Sequence, residues 1–342
     1  MFLKFFLDAC ETSSYNFGNS VGRGNRLELQ QQIEPLDQKR GLVYEIRKNR
    51  ILFLMLIPAL VYFVLFFYLP FVGAYYAFID YKYGLGLFGS PFVGFDNFRF
   101  LFTTGVIWKL TRNTFLYNLA FLAVSTAFQV TTAVLLSEMR GKIYKRLLQS
   151  FIFLPYFISF VLVGVFAYGI LNFEFGMLNN FIRDIGAEPV HIYTTPGYWP
   201  YILTATHTWK WVGYGSVIYL AAIMSISDEL YDVAAIDGAN AFRQIWSITL
   251  PMLKPTVVIL LLFNIGRILR GQFELFYQLV GRNGLLYDAT DILDTYVYRA
   301  LRESAEIELG TAAGLFQSIV GLIIIVTVNW VIRRLDPDNA LF

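Results

Sequence analysis

The chain has 342 residues, of which 56% are hydrophobic and 15% charged, with a net charge of +2 and a mean hydropathy of +0.53. Soluble domains carry about a quarter charged residues, so this composition excludes one and indicates a polytopic protein of the lipid bilayer. The small net charge gives no footing for nucleic acid, and one cysteine with two histidines excludes an internal disulfide and argues against a zinc site.

Residues 1–50 form a polar segment with eight basic side chains, Lys4, Arg23, Arg26, Lys39, Arg40, Arg47, Lys48 and Arg50. The apolar run from Phe2 to Leu7 is too short for a signal-peptide core. Residues 1–40 are expected to be a cytoplasmic tail, and 41–50 a basic anchor at the membrane surface. The remainder, 51–342, reads as one all-α membrane domain. Apolar segments at 51–78, 113–137, 148–171, 201–225, 256–276 and 311–332 each approach the ~20 residues that cross a bilayer. Six transmembrane helices are therefore expected. Pro58 and Pro70 predict a kink or late break in the first.

Basic residues in short loops set the orientation. The tail is rich in them, the loop 138–147 holds Arg140, Lys142, Lys145 and Arg146, and the chain closes near Arg333 and Arg334. Between 172 and 200 Arg183 is the single cation. Both termini and the loops 138–147 and 226–255 are thus expected in the cytoplasm, with 79–112, 172–200 and 277–310 outside. Within 79–112, turn residues followed by spaced aromatics from Ser90 to Phe98 predict an amphipathic helix.

The fourth and fifth segments carry charge at membrane depth. Lys210 lies nine residues into one and Arg267 eleven into the other, and each costs about 2.5–3.5 kcal/mol at a helix centre unless it meets a cavity or a partner. Arg267, Arg270, Gly271, Glu274 and Gln278 are spaced three or four apart and so are expected to share one helical face. One reading pairs Arg270 with Glu274 and lets Lys210 snorkel outward. The other makes this a polar sugar path lined by Lys210, Ser216, Arg267, Arg270, Gln272, Glu274 and Tyr277, with Trp209, Trp211 and Tyr214 opposite. Aromatic rings suit the apolar C–H faces of a pyranose.

Between these segments lies a short mixed stretch, Leu230-Tyr231-Asp232-Val233-Ala234-Ala235-Ile236-Asp237-Gly238-Ala239-Asn240, running on to Ile248-Thr249-Leu250-Pro251. Ser227 or Asp228 can cap a helix that ends near Asp237, and Gly238 suits a residue with positive φ. Asn240 can cap a second short helix over about 241–247, and Pro251 and Pro255 sit where the next membrane helix would begin. The result is a helix-turn-helix knob at the membrane surface.

This stretch resembles the EAA loop of bacterial ATP-driven importer permeases. Gly238, Ile248, Leu250 and Pro251 fall at the family spacing and Ala234 keeps the second alanine, while Asp232 replaces the glutamate and Val233 the first alanine. Trp209 to Tyr214, Phe273 to Leu279, Asp291 to Tyr298 and Ala312 to Ser318 resemble segments of maltose-type carbohydrate permeases, nearest the branch for acidic oligosaccharides such as alginate or pectin fragments. The resemblance implies a permease of the bacterial inner membrane that pairs with a second permease. It implies two ATPase subunits docked on Asp232, Ala234, Asp237, Gly238, Ala239, Ile248, Leu250 and Pro251, and an extracytoplasmic binding protein that delivers sugar. ATP and magnesium would sit on the ATPase: this chain has no phosphate loop, no nucleophile elbow and no cofactor motif. A permease for a non-sugar solute and an ion-coupled secondary transporter are the alternatives. The second would show inverted repeats and leave the knob unexplained.

Overall fold

The computed structural model describes residues 48–335, and the expectations for the N-terminal tail fall outside them apart from its last three residues. Two units divide between Leu69 and Pro70. The first contains α1 (Arg50–Phe63), which continues as a π turn over Val64–Tyr68. The second opens with a 3-10 run to Phe78. It then holds α2 (Asp96–Thr103), α3 (Val106–Glu138), α4 (Lys142–Phe157), α5 (Phe160–Leu171), α6 (Met177–Asp184) and α7 (Trp199–Met224). After these come α8 (Asp228–Ile236), α9 (Ala241–Ile265), α10 (Phe273–Val280), α11 (Leu293–Arg302) and α12 (Ile307–Leu335). The described residues are nearly all helical, with one isolated bridge between Ile79 and Phe92.

Among them, four helical runs are long and apolar enough to cross a membrane: Arg50–Phe78, Val106–Glu138, Ala241–Ile265 and Ile307–Arg334. A fifth arises if α4 and α5, which meet at 95°, form one broken span. The expected segment 201–225 is present as α7, 26 residues and about 39 Å long, but it falls short in hydropathy. The reason is its polar burial: Thr208, Lys210 and Ser216 are turned into the bundle with Gly213 and Gly215.

The segment 256–276 needs correction. Its helix begins earlier, at Ala241, runs straight through Pro251 and Pro255, and stops at Ile265. Pro251 is not a boundary because Ile245–Thr249 is a π turn. A proline would collide with the carbonyl four residues back, here Ser247, and the wider turn relieves that clash. The π turn Val64–Tyr68 stands in the same relation to Pro70.

Apolar packing sorts the loops of the second unit to two ends. Ala133, Val134 and Leu136 at the end of α3 pack with Tyr219, Leu220 and Ile223 at the end of α7, against Ile245, Leu250 and Leu253 of α9. At the other end, Tyr117, Phe121, Trp199 and Leu203 join Leu275 to Val280, Leu286 and Ile292. Ala77, Leu101, Ile107, Leu110, Leu293, Ala312 and Ala313 form a third cluster. The loops 138–147 and 226–255 therefore share one end of the bundle, opposite 172–200 and 277–292.

Candidate functional site: a surface knob and a polar interior

The knob forms from its caps. The Ser227 hydroxyl accepts the Glu229 N–H at 3.3 Å to start α8, and Asn240 accepts the Arg243 N–H at 2.9 Å to start α9. Between them the Ala239 N–H reaches the Ala234 carbonyl at 2.9 Å and the Gly238 N–H reaches Ala235 at 3.0 Å. This double closure is a Schellman motif, and Gly238 supplies its left-handed residue at φ +81°. Gln244 donates to the Ala239 carbonyl at 3.2 Å, and the hydroxyls of Tyr231 and Thr249 lie 3.0 Å apart, tying α8 to the first turns of α9.

One face of the knob packs and the other does not. Ala234, Ala239, Ile248 and Leu250 are half-buried. Asp232, Asp237, Gly238 and Pro251 are exposed, beside bare apolar side chains that include Ile236 at 85% and Phe242 at 70% exposure. Asp232 takes part in none of the ion pairs among the described residues. An acidic, apolar-rimmed surface is thus presented at the start of a helix long and apolar enough to cross a membrane.

The interior differs from the expected single face. The backbone breaks between Ile265 and Phe273, so Arg267 and Arg270 lie in tight turns while Glu274 begins α10. They share no helix. Both arginines and Glu274 are exposed and join none of the described ion pairs, so the expected Arg270–Glu274 pair does not form. Gln272 is half-buried at the start of α10, and its carbonyl accepts the Phe276 N–H at 3.2 Å. Tyr277 stacks on Phe273, centroids 5.2 Å apart, and meets Tyr298 edge-on at 5.0 Å.

Side chains that sequence reasoning missed hold this break open. Asn118 of α3 donates to the carbonyls of Ile268 at 2.9 Å and Arg270 at 3.2 Å. Gln317 of α12 donates to Leu269 at 2.7 Å and to Asp294 Oδ2 at 3.1 Å. The same Asp294 oxygen accepts the Gly271 N–H at 2.7 Å, and burial pushes this carboxyl up from its ordinary range against those hydrogen bonds. A Cβ on Gly271 would come within 2.4 Å of Ile292 Cδ1 and 2.7 Å of that oxygen, so glycine lets this segment sit close to both side chains. Next to it, Asp291 accepts from the two terminal guanidinium nitrogens of Arg299, at 3.2 and 2.5 Å, and from the Thr295 hydroxyl at 2.8 Å. The sequence signal was the Asp291 to Tyr298 and Ala312 to Ser318 segments, which were read as family marks and not as a clamp.

On α7, Trp209 and Tyr214 are exposed, Trp211 is half-buried and Ser216 is turned onto its own helix, donating to the Gly213 carbonyl at 2.9 Å. Tyr156 of α4 stacks on Tyr214 with centroids 4.9 Å apart and meets Trp211 edge-on at 5.5 Å. The Trp211 indole nitrogen is buried without a hydrogen-bond partner. Lys210 does not snorkel outward. It is 5% exposed and donates to the carbonyls of Pro155 and Tyr156, each at 3.2 Å, and of Ile158. The structure thus brings Trp211 and Tyr214 together in an aromatic wall with Tyr156. It turns Lys210 and Ser216 onto backbone carbonyls, and places Arg267 and Arg270 on the broken segment.

Comparison with known proteins identifies the family of the chain. Residues 129–340 match the family described as binding-protein-dependent transport system inner membrane component. Protein LplB of Bacillus subtilis is 35% identical over 294 residues, 86% of this chain and 92% of that protein. The polygalacturonan/rhamnogalacturonan transport system permease protein YteP of the same organism is 33% identical over 303 residues, 89% and 94% of the two chains. Among solved structures, a chain of a bacterial ABC transporter involved in the import of the acidic polysaccharide alginate superposes with a TM-score of 0.77. It is 32% identical and aligns over 86% of this chain and 99% of its own. A chain of the alginate transporter in complex with an alginate pentasaccharide-bound periplasmic protein gives 0.76, at 32% identity, over 87% and 98%. With a family match across most of its length and relatives aligned nearly end to end, the chain belongs to the binding-protein-dependent transport system inner membrane components.

Proposed function

We propose that this permease carries oligosaccharides that contain uronate residues across the bacterial inner membrane, as one half of the translocation path of an ATP-driven importer. The observation that carries the transport reading is the knob. It is capped at both ends, exposed and acidic on its outer face, and fused through a π turn into a candidate span. Closure of an ATPase dimer beneath it would move α9 as a lever. A secondary transporter has no use for such a surface. ATP and magnesium belong to the two ATPase subunits, a second permease completes the path, and an extracytoplasmic binding protein delivers the sugar; this chain is the permease and not the hydrolase. Six crossings with both termini cytoplasmic accommodate the packing of the loops at two ends, counting α7 and the α4–α5 pair as spans. The 1–50 segment is then a cytoplasmic tail ahead of the membrane domain.

The substrate class rests on charge and rings. Arg267 and Arg270 are exposed on the broken segment, and arginine binds carboxylates in two-pronged fashion. Trp209, Trp211 and Tyr214 supply the aromatic faces, and Gln272, Glu274 and Tyr277 hydrogen-bonding groups. The relatives named for polygalacturonan and alginate transport point to the same chemistry. The test is uptake by the reconstituted importer of a uronate oligosaccharide and a neutral one of equal length. Wild type is expected to prefer the uronate, and Arg267→Gln to lose it by roughly tenfold, the cost of a charge-assisted contact of about 1.4 kcal/mol or more, with little change in the neutral sugar. A wild type that prefers the neutral sugar overturns the substrate class.

A further inference from the structure

The ammonium of Lys210 has three N–H donors, and the structure gives it three acceptors, the carbonyls of Pro155, Tyr156 and Ile158. These carbonyls lie where α4 ends and the chain turns through 95° into α5. The last carbonyls of any helix lack intrahelical partners, and at membrane depth there is no bulk water to take them. Ser159 caps the far side of the corner by accepting the Leu162 N–H at 3.4 Å, and the Ile158 N–H bonds the Pro155 carbonyl at 3.2 Å. The Lys210 ammonium also lies 4.7 Å from the centre of the Phe160 ring, the first residue of α5. One side chain of α7 thus satisfies the end of α4 and touches the start of α5.

The same corner sets the aromatic wall. Tyr156 is one of the three residues whose carbonyl Lys210 holds, and its ring is the one stacked on Tyr214 and set against Trp211. Gly213 lets α4 approach: a Cβ there would come within 2.2 Å of the Ile152 carbonyl oxygen. We infer that Lys210 is a positioning residue of the path, an intramembrane clasp that fixes the α4–α5 corner and through it the Tyr156 ring, and not a cation that meets the substrate. The inference rests on the oligosaccharide-permease reading for its consequence in transport, but its geometry stands apart from it.

The experiment has one arm for each. In the assembled importer in lipid nanodiscs, with Cys10→Ser, spin labels at the exposed positions Leu148 on α4 and Phe166 on α5 report the corner by pulsed EPR. The expected result is a narrow distance distribution with Lys210, a broader one with Lys210→Gln, which keeps two donors, and the broadest with Lys210→Met. Should Lys210→Met fail to assemble, the Lys210→Gln comparison carries the arm. An unchanged distribution in the variants overturns the inference. In the uptake arm, Lys210→Gln is expected to lower transport of uronate and neutral oligosaccharides by the same factor, roughly tenfold for loss of buried hydrogen bonds. Loss confined to the uronate makes Lys210 a substrate contact and also overturns it. If wild type carries neither sugar, the substrate reading falls, and the EPR arm alone decides the clasp.

Discussion

Gly238 and Gly213 show two different reasons for a glycine. At Gly238 nothing lies near the missing side chain, and the constraint is φ +81°. A non-glycine residue there costs about 1 kcal/mol of local strain, which a surface turn tolerates. Gly238→Leu is therefore expected to leave the chain inserted and folded, yet to tilt the Schellman turn and present Asp232 and Ile236 wrongly. In the purified importer, sugar-stimulated ATP hydrolysis should fall severalfold while basal hydrolysis or ATPase copurification shifts. Unchanged stimulated hydrolysis would separate the knob from coupling. The loss of one methylene at Asp232 relative to the usual glutamate is compatible with this, because the carboxylate stays exposed at the knob's rim.

At the scale of elements, the informative contact is α4 against α7. Gly213→Ala places a methyl against backbone at Ile152 and Phe153, within 2.2 to 2.7 Å, and backbone cannot give as a side-chain tip can. The expected outcome is a drop of several degrees in thermal stability in detergent, with separation of α4 from α7, whereas Gly238→Ala should cost far less. Equal melting of the two variants would refute the packing argument. Here the sequence was partly legible. The knob could be read because its signals are local: caps, one glycine and fixed spacings within about 25 residues. The broken segment 266–272 could not, because it depends on Asn118, Asp294 and Gln317, which are distant in sequence, and nothing within it breaks a helix beyond Gly266 and Gly271. The partners of Lys210 were equally hidden, since backbone carbonyls leave no trace in composition. That a charge at helix mid-length must be satisfied was legible; what satisfies it was not.

For the whole molecule, the segment 201–225 is legible as a helix although α7 falls short of the hydropathy of the other long helices. α7 is the least lipid-like of the long helices because its polar residues face protein, and a lipid-based criterion measures the wrong environment there. The arrangement predicts which surfaces meet which solution. With Cys10 replaced, single cysteines at Leu85 and Glu188 should react with an impermeant thiol reagent in intact cells, and one at Ser247 only after lysis unless a bound ATPase shields it. Labelling of position 247 from outside would invert the topology. The π turn at Ile245–Thr249 adds a constraint on how such a permease can change in length. A π turn amounts to one residue more than an α-helix needs, and each residue turns the helix by about 100°. Deleting a single residue there would let the turn close as ordinary α-helix with the heading of the knob nearly unchanged, whereas a second deletion would swing Asp232 and the whole outer face of the knob by that angle about the axis of α9. The π turn thus holds one residue in reserve, so a single deletion within it should leave coupling largely intact, while an insertion or a second deletion there should abolish it.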